Sequence, residues 1–171
     1  MKIIEKIFEE CMIIEPTLRE DNRGVMEVFY CEREINHLIR DFKIAEQRIY
    51  KMPKCHTFFG IHYQKAGKPQ GKLISVIQGK GIDYIVDLRP DSSTYKKYVS
   101  IELQADTRRL VYIAPGFGHG FLSMENNTIQ LFAIDTLFDD EQSGVISYND
   151  PEIGLTLPVD DITMSDYDLN A

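Results

Sequence analysis

The stretch "KLISVIQGKGIDYIVDLR", residues 72–89, decides the fold, because it contains two short segments of strand-like composition separated by glycines. Both segments are rich in Ile and Val, which favour β-strands. The two-residue period of a strand places Asp83, Ile85 and Asp87 on one face of the second segment. Inside a barrel this face would line a polar cavity, whereas on an open sheet it would contact solvent. The segment alone leaves both interpretations open.

The strand-like pattern extends on both sides of this stretch. Short segments rich in Val, Ile, Phe and Tyr recur at intervals of about 8 to 12 residues, as in sandwiches and barrels. We therefore predict one antiparallel β domain over residues 1–171. The predicted strands are "QRIYKM", "TFFGIHYQ", "KLISVIQG", "GIDYIVDLR", "YVSIELQ", "RRLVYIAP", "HGFLSME" and "TIQLFAID".

The region before residue 47 has a different pattern. The polar turn "REDNRG", which ends at Gly24, predicts a hairpin that returns through "VMEVFY". The segment "EREINHLIRDF" predicts a short amphipathic helix, because its apolar residues recur at helical spacing. Those apolar residues are Ile35, Leu38, Ile39 and Phe42.

The overall charge excludes several classes of partner. The net charge of −8 argues against nucleic-acid binding through a basic surface and against docking on an anionic membrane.

The N-terminus has no signal-peptide core, and no apolar run approaches the roughly 20 residues of a membrane span. The three cysteines have no paired spacing, as expected of reduced thiols. We therefore expect a cytoplasmic protein.

The residues of "GIHYQ" raise the question of what His62 does. An imidazole on a strand can ligate a metal, fill a core position or act as a base. A metal-binding double-stranded β-helix needs a second histidine two positions later, but here Tyr63 and Gln64 follow. We therefore expect no metal. Taken alone, Lys72 fits a solvated loop, and His119 lies in a glycine-rich segment typical of tight turns.

Four motifs together resemble a known family. The segments "REDNRG", "GIHYQ", the run from "QGKLISV" to "GHGFL", and "YNDPEIGL" resemble, in this order, the nucleotide-sugar 4-keto-6-deoxyhexose epimerases of the dTDP-4-dehydrorhamnose 3,5-epimerase family. The resemblance runs from about residue 12 to 168. It implies an all-β, cupin-type double-stranded β-helix, or jelly-roll barrel, with one or two short helices. It also implies a homodimer without metal or cofactor that acts on a nucleotide-diphosphate sugar.

The resemblance assigns catalytic roles to three residues. His62 matches the base that removes a proton next to the C4 ketone, and an imidazole has a pKa of about 6.5 in water. Asp168 matches the carboxylate that orients this base, which makes the acidic tail functional. Lys72 matches the lysine facing the developing enolate oxygen, where a fixed positive charge is most effective.

Other matches concern substrate binding. His119 matches a second pocket histidine, and Gln47 matches a nucleotide-contacting position. Arg23 matches an arginine beside the diphosphate, where a guanidinium suits phosphate geometry. Two further substrate-binding positions hold Phe59 and Phe132, which are not the residues usual in the family.

The pocket departs from the family pattern at several positions. Most important, Phe132 stands where the family has a catalytic tyrosine, so the usual proton donor is absent. The other departures are Phe59 for arginine, Ile49 for asparagine, Ser143 for an acidic residue, and Leu137 with Phe138 for an aromatic pair.

Two functional hypotheses follow from these matches and departures. In the first, the protein is an epimerase that inverts one centre, C3, because the usual acid is missing. In the second, it is a non-catalytic descendant that binds a nucleotide sugar or another protein. The joint presence of His62, Lys72, His119 and Asp168 favours the epimerase, since a binding protein needs no base.

Overall fold

The computed structural model describes residues 1–171, which form thirteen strands, two short α-helices and one 3-10 turn at Ala105–Thr107. In chain order the elements are β1 (Lys2–Lys6), β2 (Met12–Glu15), β3 (Thr17–Asp21), β4 (Gly24–Val28), α1 (Glu32–Leu38), β5 (Glu46–Met52), β6 (Phe58–Gln64), β7 (Lys72–Gln78), β8 (Lys80–Asp87), β9 (Tyr98–Gln104), β10 (Leu110–Ile113), β11 (Phe117–Ser123), β12 (Thr128–Ile134), β13 (Ser143–Val145) and α2 (Asp166–Leu169). All eight strands predicted from the sequence are present, as β5 to β12.

The strands form two antiparallel sheets and a separate β3–β4 hairpin. One sheet has the order β1-β2-β10-β7-β12-β5, and the other has the order β13-β6-β11-β8-β9. Strands β5 to β8 alternate between the two sheets, β8 and β9 form a hairpin within the second sheet, and β9 to β12 alternate again. This is the connectivity of a jelly roll built from two Greek keys. The predicted cupin-type double-stranded β-helix is therefore confirmed.

The polar face of β8 points into the barrel. Asp83 and Asp87 are fully buried, as is Ile85 between them. Tyr84 and Val86, on the opposite face, pack in a second apolar cluster with residues of the C-terminal segment. The structure therefore places this face inside the barrel and excludes the solvent-facing interpretation.

Outside strands β5 to β12, the predicted hairpin forms as β3–β4, but other elements differ from the prediction. The predicted helix forms as α1 but ends at Leu38, and β1 and β13 add edge strands that the pattern did not reveal. The C-terminal segment is attached to the start of β6, because Phe58 N–H donates to the Thr163 carbonyl at 2.9 Å. No helix is both long and apolar enough to cross a lipid bilayer.

Gly60 sets the geometry of β6 between two cavity residues. The β6–β11 pairing shifts register between the His119–His62 and Phe121–Phe59 pairs, so that all four side chains share the inner face. Gly60 has φ +110°, and a Cβ atom there would lie 2.5 Å from the His119 carbonyl oxygen. Only glycine suits both this backbone conformation and this close approach.

We predict that Gly60→Ala destabilises the fold strongly. Positive-φ strain together with the backbone clash should lower the free energy of unfolding by about 3 kcal/mol or more. Gly24→Ala is the matched control, because Gly24 has φ +140° but no atom within 4 Å of the position that a Cβ would take. Urea unfolding should show a markedly smaller loss for the control. Equal losses would mean that close packing at Gly60 does not matter.

Candidate active site

A cavity of about 640 Å³ opens between the inner faces of the two sheets. An adjoining cleft of about 510 Å³ extends it toward the C-terminal segment. The two share Arg48, Phe59, His62 and Phe132. The larger cavity is lined by these four and by Tyr63, Gln64, Gln70, Lys72, His119, Gln130, Ile134, Phe138, Asp140, Ser143, Gly144 and Tyr167.

His62 is paired with a carboxylate from the far end of the chain. Its Nε2 lies 2.5 Å from Asp168 Oδ1. Asp168 is 2% exposed, whereas the His62 side chain is 37% exposed toward the cavity. A proton donated from Nε2 to Asp168 leaves the lone pair on Nδ1, so the carboxylate selects one tautomer. The pair is therefore arranged as an oriented base.

The second cavity histidine has its own carboxylate. His119 Nε2 lies 2.6 Å from Asp83 Oδ1, and both side chains are buried. His119 is directly opposite His62 in the β11–β6 ladder, so the two imidazoles share one wall of the cavity. The other Asp83 oxygen, Oδ2, has no hydrogen-bond partner.

Lys72 reaches the cavity from the opposite sheet. It is 7% exposed and pairs with Ile134 in the β7–β12 ladder. Burial lowers the pKa of Lys72 to about 8, although the carboxylates of Asp135 and Asp83 act in the opposite direction. At neutral pH the side chain is thus a cation in a poorly solvated environment, where its field is strong.

Two phenylalanines supply apolar walls. Phe59 stacks on the His62 ring at a centroid distance of 6.0 Å and meets Tyr50 edge-on at 5.2 Å. Phe132 lies on β12, in the sheet opposite His62. Neither side chain has a proton to exchange with a ligand.

The structure gathers six of the eight site residues proposed from the sequence and leaves two apart. His62, Asp168, Lys72, Phe59, His119 and Phe132 all line the cavity or its adjoining cleft. Arg23 is exposed on the β3–β4 hairpin, where its guanidinium pairs with Asp21 at 2.7 Å. Gln47 is exposed and pairs with Ala133, on the face of β5 that points away from the cavity.

Other cavity residues were not identified from the sequence. Arg48 and Tyr50 pair with the cavity residues Phe132 and Gln130, so both lie on the inward face of β5, opposite to the face of Gln47. The strand alternation that selected Asp83 would have selected Gln130 as well, because it lies two residues before Phe132. Tyr167 had no local signal, since its place at the cavity depends on α2 folding back.

The arrangement combines a base, a fixed cation and apolar walls. A base on one sheet and an ammonium on the other can remove a proton from carbon and stabilise the resulting oxyanion. No group of three or more His, Cys, Asp or Glu side chains is positioned to hold a metal ion.

Comparison with known proteins identifies relatives along almost the whole chain. The family model described as dTDP-4-dehydrorhamnose 3,5-epimerase matches residues 5–171. An enzyme of that name from Methanothermobacter thermautotrophicus is 34% identical over 99% of this chain and 92% of its own length. A Streptomyces dTDP-4-dehydro-6-deoxyglucose 3-epimerase is 30% identical over 92% of this chain and 81% of its own.

A solved structure extends the likeness to three dimensions. The dTDP-4-dehydrorhamnose 3,5-epimerase of Bacillus anthracis, crystallised with TDP and pyrophosphate, has a TM-score of 0.94 and 33% identity over 98% of this chain and 95% of its own. These relatives define the class, nucleotide-sugar epimerases built on a cupin-type barrel. Within that class, this chain belongs to the dTDP-4-dehydrorhamnose 3,5-epimerase family.

The lowered pKa of Lys72 predicts a pH-dependent stability. Between pH 8 and about 10.4, the unfolded chain keeps a lysine proton that the folded protein has lost. The free energy of unfolding of the wild type should therefore rise with pH relative to Lys72→Met, by about 3 kcal/mol across this interval. Chemical denaturation at several pH values measures the difference, with exposed Lys97→Met as control. Parallel curves for the wild type and Lys72→Met would contradict the lowered pKa.

Proposed function

We propose that this protein epimerises a dTDP-linked 4-keto-6-deoxyhexose, without a metal or cofactor, and inverts one centre, C3. The observation that carries the proposal is the oriented His62–Asp168 pair facing a cavity that also contains the buried Lys72. The names of the relatives support the substrate class. The TDP and pyrophosphate bound to the Bacillus anthracis enzyme support a nucleotide diphosphate as the non-reacting part of the ligand.

The first step is removal of a proton from the carbon next to the ketone. Nδ1 of His62 takes the proton, and the electrons of the C–H bond form a C=C bond while the C4 carbonyl becomes an enolate. Lys72 stabilises the negative oxygen from the opposite sheet, which makes a metal ion unnecessary. Asp168 holds the imidazole in position and stabilises the imidazolium that forms.

The second step returns a proton to the opposite face of the same carbon. Phe132 has no proton to give, so the donor must be water or another hydroxyl that reaches this face. We propose that such a donor serves C3 only, and that C5 exchanges its hydrogen at most. A relative named as a 3-epimerase supports single inversion within this family.

Deuterium exchange from solvent into dTDP-4-keto-6-deoxyglucose tests the base. His62→Ala should reduce exchange at C3 by at least about 10²-fold, the usual contribution of general base catalysis. Asp168→Asn should reduce it by about 10- to 100-fold, because the imidazole loses its orienting carboxylate. His37→Ala, at an exposed helix position, is the control.

Two results would contradict this assignment. Near wild-type exchange in His62→Ala would mean that another group is the base. Tight binding of the sugar nucleotide by the wild type without any exchange would instead favour the non-catalytic alternative.

Phe132 determines the stereochemical prediction. We expect the wild type to produce the 3-epimer and little of the doubly inverted sugar. Phe132→Tyr should increase the second inversion, because a phenol positioned as an acid contributes about 10² to 10⁴ in rate. Proton NMR after reduction of the ketone distinguishes the products, and Phe138→Tyr at the cavity wall is the control. Efficient double inversion by the wild type would reveal a replacement acid and overturn this assignment.

The diphosphate of the ligand is negatively charged, so a positively charged side chain should contact it. We propose that Arg48, which lines both the cavity and the cleft, contacts the diphosphate. Its guanidinium pairs with Glu46 at 2.5 Å and lies over the Phe138 ring at 4.9 Å, so it is held at the cavity wall. Arg23 and Gln47 remain proposed nucleotide contacts, although they lie outside the cavity of this chain.

A homodimer would reconcile those two positions with nucleotide binding. The β3–β4 hairpin exposes Leu18, Val25 and Met26, by 43%, 40% and 54%. Strand β5 lies at the edge of its sheet and exposes Ile49 by 57%. Exposed apolar side chains on a hairpin and an unpaired strand edge both favour association. We propose that the hairpin of one copy covers β5 of the other, which brings Arg23 toward Gln47.

We predict that charge on the hairpin dissociates this dimer. Met26→Glu should shift the mass measured by light scattering from two chains to one, because a carboxylate would be buried without a partner. Tyr95→Glu, at an exposed loop residue, should leave the mass unchanged. A wild-type protein of one-chain mass would refute the homodimer, and a Met26→Glu protein of two-chain mass would exclude the hairpin interface.

A further inference from the structure

Gln130 is a buried amide without any partner. It is 0% exposed, and neither its Oε1 nor its Nε2 has a hydrogen bond. It is unusual for both polar atoms of a buried amide to lack a hydrogen bond, because buried side-chain polar groups are normally paired. Apart from the two Gln130 atoms, Asp83 Oδ2 is the only buried side-chain nitrogen or oxygen without a hydrogen-bond partner. The two polar atoms of this amide are therefore available to hydrogen-bond a ligand or an ordered water molecule.

The ladder registers show where this amide lies. Gln130 pairs with Val76 on β7 and with Tyr50 on β5, and its side chain lines the larger cavity. Phe132, the next residue on the same face, pairs with Ile74 and so provides no polar neighbour. The flanking valine and isoleucine cannot hydrogen-bond, so the amide must find its partners within the cavity.

The chemistry of an amide identifies the group that suits it. A carboxamide presents an N–H donor and a carbonyl acceptor side by side, and a hydroxyl is both a donor and an acceptor. The carboxamide of Gln130 cannot act as an acid or a base at ordinary pH, so it has no role in proton transfer. A hydroxyl of a sugar ring can accept from Nε2 or donate to Oε1, whereas an apolar group can do neither.

We propose that Gln130 is a specificity-determining residue that hydrogen-bonds a ring hydroxyl of the sugar. The inference rests on the proposed function and adds the part of the substrate that this residue recognises. A site built to hydrogen-bond a hydroxyl discriminates strongly against a sugar that lacks it, because the buried amide is then unpaired. The competing explanation is an ordered water molecule bound to Gln130, as in other buried polar sites.

Binding of two unreactive ligands tests the proposal. The first is dTDP, and the second is dTDP-6-deoxy-D-glucose, whose C4 hydroxyl replaces the ketone, so that neither can be epimerised. By titration calorimetry, Gln130→Met should weaken binding of the sugar nucleotide by about 10- to 100-fold and leave dTDP binding unchanged. Gln104→Met makes the same change at an exposed position of β9 and should alter neither affinity.

Sugar analogues lacking one hydroxyl complete the experiment. With the wild type, removal of the recognised hydroxyl, at C2 or at C3, should cost a similar factor. With Gln130→Met that analogue and the parent should bind equally, which is the coupling expected of a direct contact. Thermal unfolding without ligand should show a raised midpoint for the variant, because the unpaired amide is gone. Gln130→Leu repeats the measurement should the methionine variant fold poorly.

The outcomes separate the explanations. Unchanged affinity for the sugar nucleotide in the variant overturns the proposal and favours the buried water. Equal weakening of dTDP and of the sugar nucleotide also overturns it, since the residue would then act on the nucleotide or on the whole cavity. Failure of the wild type to bind the sugar nucleotide would refute the proposed function and this inference together.

Discussion

The structure depends on one constraint, which is that polar side chains enclosed between two sheets must find partners there. Removing a charge from water is costly unless an opposite charge or hydrogen bonds replace the solvent. Asp87 shows the balance fully met. Its burial raises the pKa, but hydrogen bonds from Arg89, Ser92 and Thr94 outweigh this and hold the pKa well below its usual range. Asp87 is therefore a structural residue, because both of its carboxylate oxygens accept hydrogen bonds.

At the other end of the barrel the same constraint is met only in part. Asp83 uses one oxygen for His119 and leaves the other without a partner. Lys72 is buried with its pKa lowered, and Gln130 has no partner at all. Lys72 and Gln130 line the cavity, where a polar ligand can supply the hydrogen bonds that the protein does not. Incomplete pairing of this kind is a cost to stability that natural proteins accept at functional sites.

The sequence predicted the barrel well because each strand has a local signature. The eight core segments are bounded by turn residues, and alternation assigned Asp83 and Asp87 to one face. Alternation alone could not say which face of β5 lies inside, so Arg48 was not identified, and Gln47 was proposed only from the family resemblance. Short edge strands were also missed, since three residues such as those of β13 carry no periodicity. The contact between His62 and Asp168 joins residues 106 positions apart, and only the family resemblance indicated it.

That long-range contact makes the C-terminal segment a part of the site. Helix α2 has four residues, far fewer than an isolated helix needs for stability in water. Its position must therefore come from tertiary contacts, which are the backbone pairing of Thr163 with residues 56 and 58 and the hydrogen bond between His62 and Asp168. Ser165 adds a local cap on Asp168 N–H. The carboxylate that is hydrogen-bonded to His62 is thus delivered by a helix whose position depends on tertiary contacts. Docking of α2 and completion of the His62 site are consequently coupled, because one of the contacts that hold the helix also orients the imidazole.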